Sequence, residues 1–112
     1  MKLAQETLAH ADANCRNFDD MKELINVLRT NRKVWSWGAH NWTNYKNKIV
    51  AFRVSGLLFK GNVALMVNGS DLFDVHLCSS HGNLRKTIEN VFIGDLINAI
   101  DEKVELIHAY VR

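Results

Sequence analysis

Residues 49–78, IVAFRVSGLLFKGNVALMVNGSDLFDVHLC, alternate in polarity over three successive runs, and that alternation decides the fold. A strand turns neighbouring side chains to opposite sides, so apolar residues at every second position mark a surface facing a core. Val50, Phe52, Val54 and Leu58 take the even positions of a strand spanning 49–59, with Ala51, Arg53 and Ser55 between them. Val63, Leu65 and Val67 repeat the pattern on odd positions. Phe73, Val75 and Leu77 do so again, separated by Asp74, His76 and Cys78. Directly opposed residues of antiparallel strands share a face, so parity restricts the loops. The change from even to odd across Lys60-Gly61 demands an even loop. A two-residue turn there sets Leu58 opposite Val63 and Val54 opposite Val67. The next connection keeps odd parity and demands an odd loop: Asn68-Gly69-Ser70 with a bulge, or five residues through Leu72. A two-residue Asn-Gly turn would rotate Phe73 and Val75 out of the core and is rejected.

The flanks supply helices. Leu8, Ala11, Cys15 and Phe18 recur at spacings of three and four, and Met21, Leu24, Ile25 and Leu28 line a second stripe that Asn31 ends. A break near Asn17 separates the two, with Asp19 or Asp20 as cap of the second and Glu23 completing a capping box. Residues 34–38 read as a short strand, followed by an Asn-rich connection. His81-Gly82-Asn83 signals a turn, and 84–91 is open between strand and helix, with Thr87, Ile88 and Val91 favouring strand. Ile93, Leu96, Ile97, Ile100, Val104, Ile107 and Val111 form a 3.6-period stripe. The predicted fold is α+β, a single domain over 1–112. It has two N-terminal helices, a four- or five-stranded antiparallel β-meander and a C-terminal amphipathic helix. The sheet face carrying Ala51, Leu57, Phe59, Ala64 and Met66 is too apolar for water, so a helix or a partner must cover it.

Composition narrows the class. With 47% apolar and 23% charged residues, the 112-residue chain has the mixture of a globular domain. No apolar run approaches the ~18 residues of a membrane span, and Gln5, Glu6, His10 and Asp12 interrupt any secretory signal. Cys15 and Cys78 are too few for a disulfide framework, so a reduced, cytoplasmic protein is expected. There is no proline, which leaves turns to Gly and Asn.

Charge order is the strongest functional signal. The net charge is +2, yet no acid occurs between Glu23 and Asp71, an interval holding seven of the fourteen bases. Within it RKVWSWGAHNWTNYKNK interleaves cations with aromatics, the mixture that single-strand nucleic-acid binders use to track phosphates and stack bases. The candidate contacts are Arg29, Arg32, Lys33, Trp35, Trp37, Trp42, Tyr45, Lys46, Lys48, Arg53 and Lys60, with Trp35 and Trp37 sharing one strand face. The competing assignment makes the tryptophans core and the lysines solvated.

Two other patterns carry candidate chemistry. His76, Cys78 and His81 are spaced H-x-C-x₂-H, and His10 and Cys15 would join them if the first helix lay close. No paired C-x₂-C accompanies them, so neither metal nor cofactor is expected. Asp74, His76, Ser55 and Arg53 share the outer sheet face, and a Cys78–His pair is the sole nucleophile arrangement, with no phosphate loop or nucleophile elbow. No enzymatic activity is expected. Asp95, Asp101, Glu102 and Glu105 give the last helix an acidic, wet face.

WSWGAHNWT, the meander and TIENVFIGDLINAIDEKVE are similar to small orphan proteins of gut-bacterial phages and mobile elements. That resemblance, over the last two-thirds of the chain, implies an accessory protein that binds nucleic acid or a host protein. The expectation is a small intracellular non-enzymatic binding protein whose partner is DNA or RNA. The alternative is a protein–protein interaction or homodimeric accessory protein.

Overall fold

The computed structural model describes residues 2–17 and 20–104. Five strands, β2 (His40–Tyr45), β3 (Ile49–Ser55), β4 (Lys60–Asn68), β5 (Phe73–Cys78) and β6 (Leu84–Val91), follow one another as an antiparallel meander. A two-residue strand, β1 (Cys15–Arg16), pairs with the end of β4 that β3 leaves free, placing Cys15 opposite Asn68. The helices are α1 (Gln5–Asn14), α2 (Met21–Thr30), α3 (Arg32–Ser36) and α4 (Leu96–Val104), the last entered through a 3-10 turn at Ile93–Asp95. The α+β architecture matches the one expected from the alternation, and 84–91 is a strand.

Both sheet faces are buried, by different helices. Val50, Phe52, Val54, Val63, Leu65, Val67, Phe73, Val75 and Leu77 form one apolar face. Met21 and Leu28 of α2, Val34 of α3, Trp37, and Leu96, Ile100 and Val104 of α4 close over it. On the other face Ile49, Ala51, Ala64, Met66 and Cys78 pack under Leu3, Ala4 and Ala11. The small side chains of Ala51 and Ala64, paired across β3 and β4, let α1 sit close. The two N-terminal helices thus cover opposite faces, and the apolar outer face is a second core. Of the other two residues expected on that face, Leu57 stays exposed in the loop and Phe59 packs against the first core instead.

Three local expectations are corrected. Residues 34–38 are not a strand: Asn31 accepts the amides of Lys33 (2.9 Å) and Val34 (3.4 Å), so the residue that ends α2 also caps α3. The first meander strand instead runs through the Asn-rich segment, where a bulge between His40 and Thr43 and a left-handed Asn41 (φ 57°) erase the period-2 signal. The β3–β4 loop is even, as parity demands, but it has four residues, 56–59. Ser55 pairs with Lys60, and Val54 pairs with Gly61, not with Val67. Gly61 lies within the strand because a Cβ there would run into the Cys78 carbonyl oxygen and the Phe59 ring. The β4–β5 loop is the five-residue option, placing Val67 opposite Phe73 and closing with the Asn68 amide on the Leu72 carbonyl (2.8 Å).

The ends differ from expectation too. Asp20 stands at the N-cap of α2 without a side-chain bond to it, while Asp19 and Phe18 lie outside the described residues. In the C-terminal stripe Leu96, Ile100 and Val104 are buried, but Ile93 is 64% exposed. Ile107, Val111 and Glu105 lie outside the described residues. Asp101 is not on a wet face: it is buried and accepts the Trp37 indole N–H at 2.9 Å.

Candidate functional site

The fold distributes the basic, aromatic interval over both faces of the sheet. Arg29 at the end of α2, Trp35 on α3, and His40, Asn41 and Trp42 on β2 surround one groove of about 410 Å³. Because α3 is a helix, its residues 34 and 35 point in different directions: Val34 is fully buried and Trp35 is 79% exposed. Trp42 is half-buried and stacks on Phe52, with ring centroids 4.4 Å apart. His40 is held by an Nδ1 bond to the Gly38 carbonyl (2.6 Å). Arg32 and Lys33 are exposed on the same short helix but line a different depression, with Gly94, Ile97 and Asn98, where Lys33 Nζ reaches Asn98 Oδ1 at 2.7 Å.

The remaining candidates lie elsewhere. Trp37 is fully buried against the sheet with its indole N–H on Asp101, so it has no surface to offer and is removed from the contact set. Tyr45, Lys46 and Lys48 line a separate depression with Leu8, Ala11 and Asp12 on the α1 side, where Lys48 Nζ is 4.0 Å from Asp12. Arg53 and Lys60 point to the same side of the sheet as Ala51 and Ala64, with Arg53 directly across from the groove residue His40. The structure brings together Arg29, Trp35 and Trp42 at this groove, with Arg53 paired across from His40. Arg32 and Lys33 line a different depression with Ile97 and Asn98 of α4, and Lys46 and Lys48 lie on the α1 side.

A second polar assembly lies between α1 and β5. Alternation turns Asp74, His76 and Cys78 to one side of β5, and Thr7 and His10 descend onto them from one side of α1. The Thr7 hydroxyl lies 2.8 Å from His76 Nδ1 and 3.4 Å from Cys78 Sγ, and all three residues are buried. His10 Nε2 is 2.8 Å from Asp74 Oδ2, and its ring packs 5.0 Å from that of His76. Asp74 Oδ1 receives the Asn68 side-chain amide (2.9 Å) and the Asn90 backbone amide (3.0 Å). Burial opposes ionisation of Asp74, but the bonds from Asn90, His10 and Asn68 outweigh it and hold its pKa below the usual carboxylate value. Burial, then the neighbouring His10, pushes the His76 pKa down. Burial, then the Asp74 charge, pushes the Cys15 thiol up to about 11.

Sequence reasoning placed Asp74 and His76 on an exterior face, where they would be solvated; α1 makes that face an interior. His81 is exposed in the β5–β6 turn, apart from the buried pair, so H-x-C-x₂-H does not converge as a unit. Thr7, Asn68 and Asn90 were missed. Their signal was the i, i+3 spacing of Thr7 and His10 on a weakly apolar helix, matched to the polar alternation of β5. Among the described residues no helix is long and apolar enough to cross a membrane. No family model, curated protein or solved structure matches the chain.

Proposed function

We propose that the protein is a binding module for single-stranded nucleic acid and that its contact surface is the groove between α2, α3 and β2. One observation carries this: Trp35 offers an indole 79% exposed at a groove shared with Arg29, His40 and Trp42. An indole left in water forgoes the roughly 2 kcal/mol or more that burying a large apolar side chain supplies. A base stacked on it recovers that surface, and Arg29 engages a flanking phosphate. None of the groove-lining residues is acidic.

The test is a titration of fluorescent single-stranded DNA and RNA oligonucleotides against the protein at several salt concentrations. Affinity should fall with salt with a log–log slope of about −0.7 per phosphate contacted. Trp35→Ala should weaken binding by about 1–3 kcal/mol. Reversal of Lys46 and Lys48 to Glu separates a groove from a whole-interval surface, because those lysines lie on the other face; little change supports the groove. No binding at low salt, or a flat salt response, refutes the proposal.

Association with a second protein is the competing function. It is favoured by Val27 and Ile93, large apolar residues exposed on either side of a depression that also contains Leu24, Val67 and Phe73. Concentration-dependent sedimentation of the protein alone tests the homodimeric form.

A further inference from the structure

We propose that His10, Cys15 and Asp74 form a binding site for zinc(II), with one imidazole nitrogen, one thiolate and one carboxylate oxygen as ligands and the fourth position left to water. The three donor atoms lie within 4.8 Å of one another, although they come from α1, β1 and β5. Zinc at its usual bond lengths holds tetrahedral ligands about 3.3–3.6 Å apart, so the His10–Asp74 pair opens by about half an ångström and the Cys15 sulfur closes by about an ångström.

The surroundings are those a metal site requires. The two Asp74 oxygens are differentiated: Oδ1 is fixed by two donors, Asn68 and Asn90, while Oδ2 is presented toward His10. Asn68 is itself locked, its Oδ1 accepting the Ser70 (2.9 Å) and Leu72 (3.3 Å) amides and its Nδ2 also reaching Asn90 Oδ1 (2.8 Å). The pairing of β1 with β4 sets Cys15 opposite Asn68, so one asparagine orients the carboxylate and marks the strand position of the thiol. Asn14 Nδ2 stands 3.3 Å from His10 Nδ1, on the side of the ring away from Asp74. With zinc on Nε2 the ring proton moves to Nδ1, and the Asn14 amide turns its oxygen to accept it. Outer-sphere partners of this kind set ligand orientation and basicity.

Charge agrees with the geometry. Imidazole, thiolate and carboxylate are all donors that zinc takes, and a divalent cation displaces the thiol proton when it binds. Binding releases that proton to solvent and leaves His10 neutral, so Zn²⁺, the Cys15 thiolate and the Asp74 carboxylate sum to zero charge. The His10 side chain is 22% exposed, giving the ion a route from solvent. His76 packs beside the site with Nδ1 against Thr7, so it contributes a wall and not a ligand.

The experiment titrates the full chain with cobalt(II), a spectroscopic substitute for zinc, and then displaces it with zinc. The expected result is one equivalent of cobalt with a thiolate-to-cobalt charge-transfer band that zinc abolishes. Cys15→Ser should eliminate the band and His10→Gln should weaken zinc binding, with circular dichroism establishing that both variants fold. Cys78→Ala, which removes the other thiol, should leave the band in place. Asn68→Ala should weaken zinc binding about 10–100-fold through the carboxylate it orients. Absence of saturable binding, a band that follows Cys78, or zinc affinity unchanged in Cys15→Ser and His10→Gln would each overturn the proposal. Nucleic-acid binding by Cys15→Ser should equal that of the parent chain, so failure here is separable from failure of the groove.

Discussion

The two faces of one sheet are buried with opposite chemistry. Under α2, α3 and α4, β4 and β5 present Val63, Leu65, Val67, Phe73, Val75 and Leu77, and the contact is almost wholly hydrocarbon. Under α1 the intervening residues of the same strands include Met66 and Ala64 but also Asn62, Asn68, Asp74 and His76, all buried. A dry interface draws its free energy from apolar area and tolerates changes of partner with similar shape. A polar interface holds only while each donor meets its acceptor, because a buried group left alone costs more than its bond contributes. The first face therefore supplies stability, and the second ties stability to hydrogen-bond geometry and to pH.

The largest effects should come from breaking the dry face. Trp37→Ala removes a fully buried indole and strips Asp101 of the N–H it accepts, so a loss of about 3–5 kcal/mol is expected in urea unfolding. Ile100→Ala, in the middle of the α4 stripe and fully buried, should lose about 2–5 kcal/mol. If either variant unfolds at the same urea concentration as the parent chain, α4 does not depend on this sheet for its order.

The polar face is distinguished by its pH response. His76 has a lowered pKa in the folded state, so the fold favours its neutral form; stability is complete above the ordinary value of 6.5 and declines as pH falls below it. Asp74 is also lowered, and its contribution is present above 3.8 and lost as pH falls toward its folded-state value. Cys15 has the opposite sign: raised from 9.0 to about 11, it contributes fully below pH 9 and loses that contribution as pH rises through that interval. Urea midpoints measured from pH 4 to 10.5 should therefore decline at both ends, beginning near 6.5 on the acid side. A flat acid limb down to pH 5 would mean that water reaches His76 beneath α1.

The dry face was the more legible of the two. Alternation in 49–78 identified its residues apart from Leu58, which is exposed in the β3–β4 loop while Phe52 takes the place opposite Val63, and parity alone excluded a two-residue Asn68-Gly69 turn. Parity could not distinguish loops of two and four residues, and the register of β3 on β4 was set by Gly61, whose role is to make room for Cys78 and Phe59. The α3–β2 segment is illegible because five helical residues hold too little of a period, and because its cap, Asn31, is also the residue that ends α2. The polar assembly was hidden for a different reason. Thr7 and His76 are sixty-nine positions apart and His10 and Asp74 sixty-four, so each looks like a surface residue until the helix is docked on the strand.

Thr7→Val tests that docking at an intermediate scale. The substitution keeps the shape and deletes the hydroxyl, leaving the buried His76 Nδ1 without the oxygen 2.8 Å away. A loss of about 1–3 kcal/mol is expected, the cost of an unsatisfied buried group. A neutral result would show that the α1 interface rests on Leu3, Ala4 and Ala11 alone.

The smallest effect sharpens the comparison most. Trp35 and Trp37 are separated by one residue, yet the end of α3 sends one to solvent and the other into the core. Trp35→Ala removes an indole that touches little of the protein, so stability should change by less than about 0.5 kcal/mol. Glu102→Ala, on the exposed side of α4, should be equally silent and serves as the reference. Against that background Trp35→Ala is expected to lose oligonucleotide affinity while its urea transition superimposes on the parent's. A residue so costly to expose and so dispensable to folding is placed there for an interaction. Should Trp35→Ala instead unfold earlier by 2 kcal/mol or more (roughly the worth of a buried large side chain), the indole is packed in solution and the groove loses its stacking surface.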